Sequence, residues 1–363
     1  MMKLLMVTQK IDKDDGILGV YHEWAREIAK SFDGLSVICL YEGRNELPES
    51  IKVFSLGKES LKIKNLKLKI LIQLNYAVRF YCYILRRYKD YDTIFVHMNP
   101  VYVVLGFLPW RIMGKRIFMW YAHPAKNIFV RLAYLLCDKI ITSVPEAFYA
   151  RGKKVVAIGQ GIDTNLFRNS GVYPEINTRI LYLGRISPAK RADVLLGAVR
   201  LLNAENINLS VSVVGDPSEN YCDKEYYKKL HGFVEKNNLK DVVTFTSPVP
   251  NYMTPGIYNK HSIFVNLSPT GYFDKTVIEA MASECVVVAS NEAYRNVFPR
   301  DFHELLLFKQ DDAKDLAEKI RKILALASGD RNVIGKRLRK IVERDHSIFT
   351  LGERLRSAFE QII

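Results

Sequence analysis

Short runs rich in Val and Ile, each followed by a stretch with helical spacing, recur along the whole chain. This alternation restricts the fold more than any other feature of the sequence. In the first half the runs are Leu4–Thr8, Leu35–Leu40, Thr93–Met98, Arg116–Ala122, Lys139–Val144 and Val155–Ile158. In the second half they are Arg179–Gly184, Ser210–Gly215, Val242–Thr246, Ile263–Leu267 and Val286–Ser290. A strand that is apolar throughout needs cover on both faces, which a parallel sheet with helices on either side provides. Strands alternating with helices build βαβ units in doubly wound sheets. The runs are too many for one sheet of ordinary size, and 363 residues exceed one ordinary core. The sequence therefore predicts an α/β chain of two domains.

The seam falls in GQGIDTNLFRNSGVYPEINTR, residues 159 to 179, where Gly, Asn, Ser and Pro separate two strand signals. Phe349 to Ile362 has the spacing of an amphipathic helix, with Leu351, Leu355, Phe359 and Ile362 on one side. The opening MMKLLMVTQK holds an apolar run too short for a signal-peptide core, so it reads as the first strand. Five dispersed cysteines (Cys39, Cys82, Cys137, Cys222, Cys285) form no CxxC, which points to a reducing cytoplasm. The net charge of +14 raises the local concentration of phosphates of any kind: nucleotide sugars, lipid phosphates, anionic membranes or nucleic acid.

Residues 61 to 88 mix apolar, aromatic and basic side chains. Ile63, Leu66, Ile70, Leu74, Ala77 and Val78 make a helical stripe, although Leu61–Ile70 also alternates like a strand. Lys69 and Arg79 interrupt any run long enough to span a bilayer. Two readings stay open: a basic amphipathic helix lying on an anionic membrane, or a core helix with a solvated lysine face.

Two segments carry candidate chemistry. In LYLGRISPAKRADVLLGA (181–198) a strand ends at Gly184, a Ser-Pro loop follows and a helix begins near Lys190. Arg185 and Lys190 thus stand at the C-terminal lip of a sheet beside helix N–H donors, an arrangement that can neutralise a diphosphate. Two solvated bases in a βα loop are the alternative. In PTGYFDKTVIEAMASECVVVAS (269–290) a Pro-Thr-Gly loop enters a helix near Thr276, with Glu279 in its first turn. Thr276 and Glu279 have capping-box spacing, where the carboxylate serves only a backbone N–H; alternatively it accepts two ribose hydroxyls. Gly271 lets the loop backbone approach a ligand, and Ala280, Ala282 and Ser283 allow close helix packing.

GRISPAK followed by TGYFDKTVIEAMA resembles glycosyltransferase family 4, the retaining enzymes of GT-B fold, most strongly over residues 178 to 310. The resemblance implies two Rossmann-like domains facing a cleft: residues 1–168 with helix 346–363 for the acceptor, and residues 169–345 for the nucleotide-sugar donor. It assigns the leaving diphosphate to Arg185 and Lys190, and the ribose to Glu279. The first Glu of the family's E-x(7)-E motif falls on Gly271, which has no carboxylate. This resembles a variant subset with a Phe273-Asp274-Lys275 triplet. The donor loop then comprises Gly184, Gly271, Tyr272, Phe273, Asp274, Lys275, Thr276 and Glu279, with backbone N–H groups or Asp274 taking over the sugar contact.

In the first half, WYAHP ends a strand and puts His123 at its lip. Its position is similar to that of the family's acceptor-domain His, which faces the donor sugar; a structural His is the alternative. DDGILGVYHEWA resembles the family's glycine-bearing loop, with Gly16 and Gly19 open to acceptor or phosphate, although a plain βα turn needs glycine equally. There is no Walker loop, GxSxG, HExxH or zinc spacing, and Asp12-Lys13-Asp14 is a weak D-x-D. The expectation is a metal-independent, cofactor-free hexosyltransferase. Its donor is a nucleotide-diphosphate sugar and its acceptor a glycan or polyprenyl-linked sugar. It would be cytoplasmic, with peripheral contact to the cytoplasmic membrane face through residues 61–88. A catalytically impaired GT-B protein and a sugar-nucleotide epimerase are the alternatives. Nucleic-acid binding is remote, since the bases are spread over many elements.

Overall fold

The computed structural model describes residues 2–16, 18–60, 66–171 and 178–361. Two compact units emerge: Met1–Gly161 with Ile348–Ile363, and Ile162–Ser347. The first holds β1 (Lys3–Ile11), α1 (Val20–Ala29), β2 (Gly34–Glu42), β3 (Lys52–Ser55), α2 (Leu66–Arg86) and β4 (Thr93–His97). It continues with α3 (Pro100–Ile112), β5 (Arg116–Trp120), α4 (Ile128–Leu136), β6 (Lys139–Thr142) and β7 (Val155–Ala157). The second holds β8 (Arg179–Leu183), α5 (Ala192–Ala204), β9 (Ser210–Val214), α6 (Tyr221–Lys236), β10 (Val243–Thr246) and α7 (Thr254–Tyr258). It goes on through β11 (Ile263–Asn266), α8 (Lys275–Ala282), β12 (Val286–Ala289), α9 (His303–Leu306), α10 (Ala313–Ala325) and α11 (Ser328–Asp345). The last helix, α12 (Leu351–Glu360), returns to the first unit.

Both sheets are parallel throughout the described residues. In the first unit the strand order is β3-β2-β1-β4-β5-β6-β7. Alternate residues of β1 feed opposite faces, as strand geometry requires. Leu4 and Met6 pack with Trp24 and Ile28 of α1 and with Leu355 and Phe359 of α12. Leu5 and Val7 pack with Phe80 and Ile84 of α2, Val103 of α3 and Ala133 of α4. The sequence reading missed β3, whose Lys-Val-Phe-Ser carries no apolar run because it is an edge strand paired only with β2. Over residues 61–88 the chain is helical from Leu66 to Arg86, while residues 61–65 lie outside the described residues. Among the described residues no helix is long and apolar enough to cross a membrane.

The second sheet has the order β10-β9-β8-β11-β12. The chain builds outward from β8 to β10, then starts again on the other side of β8 with β11. The winding direction therefore reverses between β8 and β11, which pair directly through Ile263 with Ile180 and Phe264 with Leu181. Such a reversal opens a crevice beyond the carboxyl ends of the two strands, the usual ligand position in an open α/β sheet.

Candidate active site

That crevice is a pocket of about 140 Å³. Tyr182, Gly184 and Arg185 from the end of β8 line it, with Asn266 and Ser268 from the end of β11. Lys190, Asp274 and the first two residues of α8, Lys275 and Thr276, complete it. Gly215, at the end of β9, is at φ +144, and a Cβ there would meet the Gly184 carbonyl oxygen at 2.0 Å. Only glycine lets the two strand ends converge so closely.

Lys190 is not the start of a helix, as the sequence suggested. Pro188–Lys190 form a 3-10 turn, and Arg191 in the left-handed region (φ 54) separates it from α5. Proline at the head of that turn has its φ already set, which makes a separate turn the favoured conformation. The Lys190 ammonium then lies 2.6 Å from Asp274 Oδ1, donates to Ser268 Oγ at 3.0 Å and sits 5.6 Å from the centre of the Tyr272 ring. Arg185 is exposed, and the Tyr182 hydroxyl donates to its carbonyl at 3.0 Å.

Asp274 is the residue that caps α8, so the helix begins at Lys275 and Glu279 falls in its second turn. The alternative reading of Thr276 and Glu279 as a capping box is therefore not borne out: Thr276 is already helical. The Asp274 carboxylate makes no cap bond. Its Oδ2 accepts from Asn266 Nδ2 at 2.8 Å and from Ser268 Oγ. Burial alone would raise its pKa. The Lys190 charge, then the hydrogen bonds from Lys190, Ser268 and Asn266, outweigh burial and hold the carboxyl below its ordinary value.

Glu279 is 1% exposed and fully engaged. Asn251 Nδ2 donates to Oε1 at 2.9 Å, the Tyr258 hydroxyl donates to Oε2 at 3.0 Å, and Lys275 Nζ is 3.5 Å from Oε1. Burial, and then the Glu279 charge, push the Tyr258 phenol well above its usual range, so it stays a donor. Gly271 adopts φ +104, a conformation that disfavours any residue with a side chain. Phe273 is buried and packs 5.1 Å from the Tyr294 ring and 5.9 Å from His346, anchoring the loop from behind. Ala280 and Ala282 are fully buried and Ser283 nearly so, as close packing of α8 requires.

The structure thus gathers Gly184, Arg185, Lys190, Asp274, Lys275 and Thr276 around one pocket, with Tyr272 over Lys190. Gly271, Phe273 and Glu279 support it without lining it. Tyr182, Asn251, Tyr258, Asn266 and Ser268 were not singled out from sequence. The one legible signal was the polar pair Asn266 and Ser268 closing an otherwise apolar strand.

In the first unit His123 follows β5, half-buried, and its Nδ1 accepts from the Ala125 N–H at 3.0 Å. In a neutral ring that leaves the proton on Nε2. Gly16 and Gly19 flank Ile17, which lies outside the described residues. A Cβ on Gly19 would meet the Asp15 carbonyl oxygen at 2.5 Å, so packing within its own loop already demands glycine there. Asp12 turns onto Lys10 at 2.9 Å and accepts from the Asp14 and Arg44 N–H groups. Here the winding reverses between β1 and β4, and His97 ends β4. It is buried beside the rings of Tyr21 and Trp24, its pKa lowered to about 3 by burial, and its Nδ1 is 3.3 Å from Thr8 Oγ1.

Over 99% of the chain the fold matches the crystal structure of Anabaena HepE in complex with UDP and glucose. The TM-score is 0.73 at 18% identity, covering 100% of that chain. Both belong to the GT-B architecture. Residues 163–341, nearly the whole of the second unit, match the family described as glycosyl transferases, group 1. A D-inositol 3-phosphate glycosyltransferase of Streptomyces bingchenggensis is 31% identical over 149 residues, 40% of this chain. The chain spans about a third of that relative, 32% of its length. The capsular polysaccharide biosynthesis glycosyltransferase CapM of Staphylococcus aureus is 24% identical over 291 residues, 74% of this chain and 72% of CapM.

Proposed function

We propose that the chain transfers a hexosyl group from a nucleotide-diphosphate sugar to a glycan or lipid-linked acceptor, with retention and without a metal ion. The observation that carries this reading is the β8/β11 pocket, where two cations from one loop meet the start of α8 inside the segment that matches group 1 glycosyl transferases. In this reading Arg185 and Lys190 stabilise the charge that develops on the departing diphosphate, an electrostatic effect that commonly dominates such transfers. Glu279, with Lys275 beside it, is assigned to the ribose. A ribose hydroxyl would share Oε1 with Asn251 or replace that amide, since both carboxylate oxygens already accept hydrogen bonds. His123 is the candidate donor to the substrate in the first unit.

Three similar proteins support the donor and acceptor classes: HepE, crystallised with UDP and glucose, the D-inositol 3-phosphate glycosyltransferase of Streptomyces, and CapM of capsular polysaccharide biosynthesis. Peripheral membrane contact is part of the proposal. Leu71, Leu74 and Val78 on α2, Leu108 and Ile112 on α3 and Leu135 on α4 are all more than half exposed. They lie on helices that cover the same face of one sheet, in a chain whose net charge is +14.

Hydrolysis of a panel of UDP-, GDP- and ADP-sugars, followed by release of the nucleoside diphosphate, tests the donor reading. Slow turnover of one base class without added metal and in the presence of EDTA is the expected result. No release from any of them, combined with tight duplex binding, would overturn it in favour of a nucleic-acid protein.

A further inference from the structure

The family resemblance puts Gly271 where a glutamate is expected, and the sequence offers loop N–H groups or the Asp274 carboxylate as its replacement. The Asp274 carboxylate is already committed. Oδ1 is 2.6 Å from Lys190 Nζ, and Oδ2 accepts from Asn266 Nδ2 at 2.8 Å and from Ser268 Oγ. Ser268 Oγ in turn accepts from Lys190 at 3.0 Å, so the carboxylate, the hydroxyl and the ammonium close a ring. The backbone of Asp274 is fixed as well, its N–H donating to the Tyr294 hydroxyl at 3.1 Å.

The two partners of this ion pair differ in freedom. Asp274 has a short side chain braced by Asn266 and Ser268 at the end of β11, on a backbone held by Tyr294. Lys190 has a four-carbon stem that loses considerable rotamer freedom whenever its head is fixed. A residue before a helix ordinarily turns its carboxylate onto the first N–H groups. Asp274 does not, and its charge is spent on Lys190 instead. An ammonium has three donors. Asp274 and Ser268 take two, and the third remains on a group that lines the pocket.

We infer that Asp274 is a positioning residue: it fixes the Lys190 ammonium so that its remaining N–H meets the donor diphosphate, and it makes no contact with the donor sugar. The inference rests on reading the β8/β11 pocket as the donor site. It has a signed consequence. With Lys190 present the carboxylate helps phosphate binding. With Lys190 removed the same carboxylate is an unpaired negative charge facing the phosphates, and it hinders.

The test is a calorimetric titration of UDP, GDP and ADP, with UDP-glucose beside UDP, into four proteins: wild type, Asp274→Asn, Lys190→Ala and the double variant. Asp274→Asn is expected to weaken the preferred nucleotide about 10-fold, as loss of a well-placed charge-assisted contact does. Affinity for the matching nucleoside, which carries no phosphate, stays unchanged. In the Lys190→Ala background the same substitution tightens binding about threefold, through the relief of like-charge repulsion. Equal weakening in both backgrounds overturns the inference, as does tightening of the nucleotide in the presence of Lys190. Unchanged UDP affinity with weakened UDP-sugar affinity would return Asp274 to the sugar. Should Asp274→Asn fail to fold, Ser268→Ala carries the same test, with a loss of about threefold that vanishes without Lys190. Wild-type protein that binds none of the three nucleotides defeats the donor-site reading itself, a failure distinct from any of these.

Discussion

The two units share a doubly wound plan but treat the point of winding reversal in opposite ways. In the second unit the ends of β8 and β11 carry Arg185, Asn266 and Ser268, and polar groups converge on a pocket. In the first unit the ends of β1 and β4 lie against Tyr21, Trp24, His97 and Trp120, and aromatic rings pack there. The surfaces differ too. Exposed large apolar residues gather on α2, α3 and α4 of the first unit, whereas the second shows scattered ones such as Tyr221, Tyr252 and Val333. The same scaffold thus presents fixed charge in one unit and apolar area in the other. Function follows the residues placed at strand ends and on helix backs, not the sheet itself.

Breaking the charged side of this contrast has the largest expected effect. Arg185→Ala combined with Lys190→Ala should lower donor turnover on the order of a thousandfold, measured as nucleoside diphosphate release, with folding intact by circular dichroism. Next comes Glu279→Ala, which leaves Tyr258, Asn251 and Lys275 without their shared acceptor. A loss of about 3 kcal/mol in urea unfolding is expected, because removing one member of a buried charged cluster strands the rest. Gly271→Glu, which installs the carboxylate that the family resemblance would lead one to expect, should cost about 1–3 kcal/mol from its positive φ and leave donor turnover no higher.

The Lys190–Asp274 pair sharpens the contrast through pH. The folded pKa of Asp274 is depressed, so its contribution to stability is fully present above the ordinary value of 3.8 and is lost as pH falls through the lower folded value. Urea midpoints recorded from pH 6 to pH 2 should therefore fall less steeply below 3.8 in Asp274→Asn than in wild type. The smallest effect on stability belongs to the apolar side. Leu74→Ser with Val78→Ser should change unfolding by about 0.5 kcal/mol at most, these being exposed positions. It should nevertheless weaken sedimentation with phosphatidylglycerol vesicles several-fold; unchanged sedimentation would locate any membrane contact elsewhere.

Much of this was legible in the sequence because strands buried on both faces announce themselves as apolar runs. Every predicted run became a strand, and β3 escaped because an edge strand needs no such run. Arg185, Lys190 and the Asp274–Glu279 segment were legible because they sit just past strand ends. Their partners were not. Asn251 reaches Glu279 across 28 residues, and Lys190 reaches Asp274 across 84. Spacing within one helix carries no record of pairings made by the winding of the sheet. The helix start near Thr276 was legible to within one residue, but its cap was not: Thr276 looks like one, whereas Asp274 takes the position and gives its carboxylate to Lys190.

The most direct test of the account is a crystal structure of the protein with the nucleoside diphosphate that it binds best. The two phosphates are expected in the β8/β11 pocket, within hydrogen-bond reach of Arg185 and Lys190, with Asp274 still on Lys190 and the ribose toward Glu279. Phosphates bound away from that pocket, with Arg185 and Lys190 untouched, would contradict it.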